Sequence, residues 1–260
     1  MSQSKTTSAV KSVVPAVVNA LNILDYLAHV APEARVSDIA RDLKINKSTC
    51  FNILATLQAA QVVVKHPIYS SYRLGSKLID LGGAARRNLS QGIGLAEKMR
   101  ELADEIHLTC VLGQVLADGS GMVIIDRAVP HRSDIMVLSI GHIVSMKGPA
   151  MGRAVLASRD DTEALELARR SGLLPRGGES ELIAQLDAVR SLGYATSLGE
   201  RDPNVNAVAV VAGGGSGNEL VLCVVGFQRH FPKSRVPAVG KRMSALRDTL
   251  RDNSTWAQAS

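Results

Sequence analysis

Residues 37–57, SDIARDLKINKSTCFNILATL, constrain this chain more than any other stretch, because two apolar patterns of helical period stand there with only three residues between them. Ser37 is placed to cap a first helix that runs to residue 43 and keeps Val36, Ile39, Ala40 and Leu43 on one side. Lys44-Ile45-Asn46 break that pattern. Asn46 is a good N-cap for a second helix, which buries Cys50, Ile53, Leu54 and Leu57 at i, i+3, i+4 and i+7. Its opposite face carries Ser48, Asn52, Ala55 and Thr56, with Lys47 in the first turn and Thr49 and Phe51 on the flanks. Two short helices joined by a tight turn, the second with a small polar outward face, are what a DNA major groove accepts. The same pattern fits an ordinary helical hairpin in an all-α core, so a second observation is needed to decide between them.

Charge placement supplies it. Of the 260 residues, the first 95 hold eleven Lys and Arg against five Asp and Glu, while the rest hold nineteen of each sign. The whole surplus of six positive charges lies in the third of the chain with the two-helix pattern, the footprint of a nucleic-acid module joined to a neutral one.

The length suits about two domains, and a hydrophobic content of 46% supports real cores. Residues 1–14 read as a disordered polar arm whose Lys5 and Lys11 can meet phosphates, with no pattern of a cleaved leader. No apolar run approaches membrane-spanning length. Cys50, Cys110 and Cys223 are odd in number, widely spaced and set in apolar patterns, so they read as reduced core thiols of a cytoplasmic protein. The six His residues show no metal-ligand spacing, and there is no HExxH, GxSxG or Walker pattern, so neither a cofactor nor a metal is expected. The glycines from 213 to 217 lie between apolar runs, without a following helix or Lys-Ser/Thr pair, and read as a hairpin loop rather than a phosphate cradle. Two alternatives to a DNA-binding protein remain: a thiol enzyme, if a His approaches Cys223, and a small-molecule sensor whose helix-turn-helix serves only protein contacts.

Along the chain, a first helix is expected over 15–29 with Val17, Ala20, Leu21, Leu24, Leu27 and Ala28 as its apolar stripe. After the second helix of the pair, residues 61–65 and 72–74 read as a two-stranded wing with Val62 and Val64 facing the helices. A linker helix over 76–90, opened by Gly75-Ser76, has no evident burial partner of its own and is expected to pack between domains or copies. Beyond it lie a helix over 94–106, strands over 107–116 and 122–127, and a third strand over 135–140. Helices over 161–170 and 180–191, strands over 205–211 and 220–227, and a last helix over 235–251 follow, and 253–260 is a polar tail.

VSDIARDLKINKSTCFNILATLQ and the later YRLG at Tyr72 to Gly75 resemble the IclR family of bacterial transcriptional regulators, whose core reads like LSEIARRLGLPKSTVHRLLATLE with a wing ending in YRLG. Lys47-Ser48-Thr49, Leu54 to Leu57 and Tyr72 to Gly75 stand in order and at family spacing. The resemblance extends over 15–231 and implies an α+β protein: an N-terminal winged helix-turn-helix over 15–75, a linker helix over 76–90, and over 91–252 a GAF-like antiparallel sheet with flanking helices that binds an effector. It also implies homodimers that pair into tetramers on double-stranded operator DNA, and more commonly a repressor of a catabolic operon than an activator.

The candidate DNA contacts are Ser37, Lys47, Ser48, Thr49, Phe51, Asn52 and Thr56 on the two helices and Lys65, His66 and Arg73 on the wing. Many relatives carry His-Arg where this chain has Phe51-Asn52, so an A·T-leaning contact is expected in place of a guanine-directed one. Residues 144–154 align with the family's LPLHATALGKA, a loop and helix start that close over the ligand. The implied effector site therefore takes in Met136, Leu138, Met146, Gly148, Pro149, Ala150 and Met151, with Ser197, Ala207, Cys223 and Val225 from later strands. Relatives often place an Asp, a Cys and two Ser at the last four positions, so this pocket has exchanged polar groups for apolar wall. A small, partly apolar or aromatic organic acid then suits it better than glyoxylate, with amides near Gly148, Ala150 and Met151 holding the carboxylate.

Overall fold

The computed structural model describes residues 13–90, 94–131, 136, 138–175, 178–214 and 219–252, and for 88–90 and 251–252 the backbone alone. Most of the expected arm, the glycine loop and the tail fall outside the described residues. The chain divides into two compact units, Met1–Ala85 and Arg86–Ser260.

The first unit runs α1 (Pro15–His29), β1 (Ala34–Arg35), α2 (Val36–Asp42), α3 (Lys47–Ala59), β2 (Val63–Lys65), β3 (Ser71–Leu74) and the start of α4 (Lys77–Ser90), with its strands in the order β1-β3-β2. The turn between α2 and α3 is short because Lys44 takes a left-handed conformation (φ 55°) and Asn46 caps the next helix at once. The Asn46 side-chain oxygen accepts from the Ser48 amide at 3.0 Å and from its hydroxyl at 2.8 Å. Ser37 does not act as a cap. β1 pairs Arg35 with Ser71 and runs straight into the helix, so Arg35 takes the cap position, without a side-chain bond, and Ser37 is a helical, exposed residue.

Two expectations about facing need correction. The core of this unit takes Ile23, Tyr26 and Leu27 from α1, because only that part of the helix lies on α3 and β3; Val17, Leu21 and Ala28 stay exposed. Val17 and Leu21 instead line an open apolar groove with Leu57 of α3 and with Leu78 and Leu81 of α4. In the wing it is Val63 that is buried, while Val62 is half-buried and Val64 exposed. The Val62 carbonyl is taken by the Gly75 amide at 2.8 Å, so the ladder starts one residue later, at Val63 opposite Leu74, and a slip of one residue exchanges the two faces. Gly75 permits that closure: a Cβ there would overlap the Gln61 carbonyl oxygen.

The second unit runs α5 (Leu95–Ile106), β4 (Thr109–Val115), β5 (Gly121–Ala128), β6 (Ile143–Ser145), α6 (Pro149–Ala157), α7 (Asp161–Ser171), α8 (Gly178–Leu192), β7 (Ala195–Leu198), β8 (Val205–Gly213), β9 (Leu220–Phe227), a 3₁₀ turn (Lys233–Arg235) and α9 (Val236–Asp252). Its six strands form one antiparallel sheet in the order β6-β5-β4-β9-β8-β7. α5 and α9 cover one face through Met99, Leu102, Val239 and Met243, against Leu112, Val208, Leu222 and Val224. α6, α7 and α8 cover the other through Met151, Val155, Leu167 and Leu186, against Val111, Ala209, Val221 and Cys223. Strands buried on both faces have no polar side to alternate with, which is why β9 reads as an unbroken apolar run and β8 is apolar from Ala207 onward.

The third strand is not where the apolar run suggested. Residues 132–135 and 137 lie outside the described residues, and 138–140 are not strand. β6 begins at Ile143, after a turn in which Gly141 takes φ 85° and exchanges backbone bonds with Ile124 together with His142. Among the described residues no helix is long and apolar enough to cross a membrane.

α1 and α2 are tied by the Tyr26 hydroxyl, which donates to Asp42 Oδ2 at 2.7 Å. That bond, followed by the one from Arg41, holds the Asp42 carboxyl below its ordinary range. A depressed carboxylate contributes stability above its unfolded value, about 3.9, and loses it as pH falls toward the folded value. Tyr26→Phe is therefore expected to melt below the parent at pH 7, with the difference shrinking as pH falls from the unfolded value of about 3.9 through the lower folded one, as read by thermal scans in acid.

Candidate functional site

Of the residues assigned to DNA, all but the half-buried His66 are exposed on the first unit. Lys47, Ser48, Thr49, Phe51, Asn52 and Thr56 are all exposed on α3. Phe51, 50% exposed, is a large apolar ring with no core role. The exposed residues of α3 do not share one face. Thr49, Asn52 and Thr56 turn toward the groove shared with α1, and the Thr56 hydroxyl donates back to the Asn52 carbonyl at 2.9 Å. The Ser48 hydroxyl is engaged with Asn46. Lys47, Phe51 and Ala55 are exposed and do not line that groove.

On the wing, Lys65 and Arg73 are exposed, and the Lys65 ammonium stands 5.9 Å over the Tyr72 ring. His66 does more than offer a charge. Its Nδ1 accepts from the amides of Ile68 at 3.2 Å and Tyr69 at 3.3 Å, and its ring lies 4.7 Å from that of Tyr69. An accepting Nδ1 leaves the proton of the neutral ring on Nε2, a donor directed away from the turn it folds. The wing tip also exposes Ile68 and Tyr69, which the sequence reading passed over. Two large apolar residues inside a turn were the signal that marked them.

In the second unit the strand ends and the start of α6 enclose a cavity of about 400 Å³. Of the residues expected there, Met136, Leu138, Gly148, Pro149, Ala150 and Met151 line it from one side and Ser197, Ala207, Cys223 and Val225 from the other. Met146 does not: it is fully buried beneath α6, where its carbonyl oxygen leaves no room for a Cβ at Gly152. α6 can approach so closely only because residue 152 is glycine. Gly148 is its N-cap without a side-chain bond and Pro149 is in its first turn, so the amides of Ala150 and Met151 are the first free donors of the helix. His142, Val144, Arg201, Asp202 and Val205 complete the lining and were not anticipated. His142, Arg201 and Asp202 come from turns whose positions only the folded chain defines.

The three thiols are buried and unpaired. Cys110 and Cys223 sit on the two central strands but on opposite faces, since Cys110 is opposite Val224 and Cys223 is opposite Val111. Burial pushes both up, Cys223 to about 12. His142 shares the cavity with Cys223, yet the sulfur's hydrogen bond, at 3.7 Å, goes to the Val224 carbonyl. A thiol so far from ionising at neutral pH is a poor nucleophile. Among the described residues no group of three or more His, Cys, Asp or Glu is placed to hold a metal ion.

A helix-turn-helix unit with a basic exposed edge, followed by a sheet enclosing a small cavity, defines a DNA-binding regulator with a ligand domain. The family description "Bacterial transcriptional regulator IclR C-terminal" matches residues 93–255, and "IclR helix-turn-helix domain" matches residues 16–67. The chain belongs to the IclR family of DNA-binding transcriptional regulators, which are not enzymes. It is 27% identical to the regulator KdgR of Dickeya chrysanthemi, over 68% of this chain and 59% of that protein. It is 24% identical to the transcriptional repressor AllR of Escherichia coli K12, over 90% of this chain and 86% of that one. The crystal structure of an IclR transcriptional regulator from Alicyclobacillus acidocaldarius superposes with a TM-score of 0.77 at 29% identity, covering 95% of this chain and all of that one.

The contact between Gly152 and Met146 makes the cavity sensitive to a single methyl group. Gly152→Ala is expected to destabilise the protein by about 1–3 kcal/mol through overpacking, measured as a lowered urea midpoint with an unchanged slope.

Proposed function

We propose that this protein is a cytoplasmic repressor that binds a near-palindromic operator as a homodimer, with two dimers pairing into a tetramer, and that releases a catabolic operon when a small, partly apolar or aromatic organic acid occupies the cavity. In this reading residues 15–75 are the DNA-binding domain, 76–90 the linker and 91–252 the effector domain. The name of AllR, a repressor that matches most of the chain, supports the direction of control. The exposed apolar residues Val17, Leu21 and Leu81 support association between copies, since apolar surface of this kind is normally covered.

One observation carries the effector class: Ala207, Cys223 and Val225 make the strand side of the cavity apolar, opposite the free amides of α6. Such a lining favours a ligand that buries a hydrocarbon body and presents its acid to the helix N-terminus. The ligand changes transcription only so far as it binds one arrangement of the DNA-binding units better than another. Calorimetry on the full chain is expected to show benzoate or phenylacetate binding and glyoxylate or pyruvate failing to bind; the reverse order would overturn the effector class.

For DNA, operator affinity is expected to fall linearly with salt on logarithmic axes, and Lys47→Ala to reduce that slope by about one. Asn52→Ala is expected to cost about 1–3 kcal/mol at one base position and to relax the preference there. An equal loss on every operator variant would mean that Asn52 only positions the helix.

A further inference from the structure

We propose that Arg201, assisted by His142, forms a second anion-binding point at the mouth of the effector cavity, so that the effector is a dicarboxylic acid with an apolar or aromatic body between its two acid groups. The inference rests on the reading of this cavity as the effector site.

The cavity has two polar ends separated by apolar wall. At the inner end stands the Ser197 hydroxyl. Ser197 is only 7% exposed and lines the cavity, and its hydroxyl has no hydrogen-bond partner among the described residues. A hydroxyl on a buried residue that is left open toward a cavity is available to a ligand's polar group. The amides of Ala150 and Met151 face the same space, and together these three donors can hold one carboxylate.

At the rim the charges do not cancel among themselves. Arg201 lies on the turn between β7 and β8, which Gly199 opens with φ 80°. Both acidic neighbours are engaged: Glu200 pairs with Arg153 of α6, and Asp202 accepts the Asn204 amide at 2.9 Å. The Arg201 guanidinium itself has no ion pair or hydrogen bond among the described residues, and neither does the His142 ring. A free guanidinium at the edge of a cavity is a planar fork that matches a carboxylate with two parallel bonds. Donors therefore dominate both ends, and the Asp202 carboxylate is the rim's one acid among the residues lining the cavity.

Size points the same way. At about 30 Å³ for each water-sized group, the 400 Å³ cavity holds on the order of a dozen heavy atoms. A two- or three-carbon acid leaves most of that space empty, and a mono-acid has one carboxylate for two sets of donors. A ring with carboxylates at both ends engages both.

The test compares benzoate with terephthalate, and phenylacetate with 4-carboxyphenylacetate, by calorimetry on the full chain. Each diacid is expected to bind at least tenfold more tightly than its mono-acid. Arg201→Gln should erase that advantage, Arg201→Lys should restore part of it, and His142→Gln should reduce it about threefold. Ser197→Ala should weaken mono-acids and diacids alike, and unchanged thermal melts establish that each variant is folded. Mono-acids that bind while diacids gain nothing, or an Arg201→Gln variant that keeps the full ratio, would overturn the second anion point and leave the effector pocket standing. Failure of all four acids to bind the parent would overturn both readings.

Discussion

The antiparallel pairing of β4 with β9 is the constraint on which the second unit depends. It joins strands more than a hundred residues apart in the sequence, and both have helices on both sides, so both are predominantly apolar, with Thr109 and Gln114 the polar residues of β4. The pairing is the seam between two three-stranded halves, β6-β5-β4 and β9-β8-β7. The cavity lies across that seam: one half brings β6 and the loop into α6, and the other brings Ser197, Ala207, Cys223 and Val225. Shifting β9 by one residue would send Cys223 and Val225 to the face of α5 and α9 and dismantle the site.

Much of the first unit was legible because its signals are local. The Asn46 cap, the Cys50, Ile53 and Leu54 stripe and the Pro15 helix start each depend on residues within one or two turns. The errors arose where a neighbouring element overrode a local preference. Ser37 lost its cap to the strand that runs into α2, and the wing took its register from the Gly75 amide rather than from the alternation of its valines. The apolar run after residue 135 resembles a strand, yet it is the polar residues around Gly141 that exchange bonds with β5.

The candidate site divides in the same way. Motif likeness brought together most of the cavity wall, because family spacing carries the outcome of a fold along with it. It could not indicate His142, Arg201 or Asp202, which lie on turns and share the rim only after the sheet is assembled. Nor could it separate Met146 from its neighbours, since burial beneath α6 depends on the glycine one turn into that helix.

That glycine has a wider consequence. The close approach of α6 to the Met146 carbonyl leaves the cavity floor no room to slide or thicken, whereas the β8 and β9 positions above it differ only in side chain and keep their backbone pairing whatever they carry. The scaffold thus separates what may drift from what must stay. Exchange of Ala207, Cys223 or Val225 therefore reshapes the cavity wall without touching the backbone contact that fixes α6.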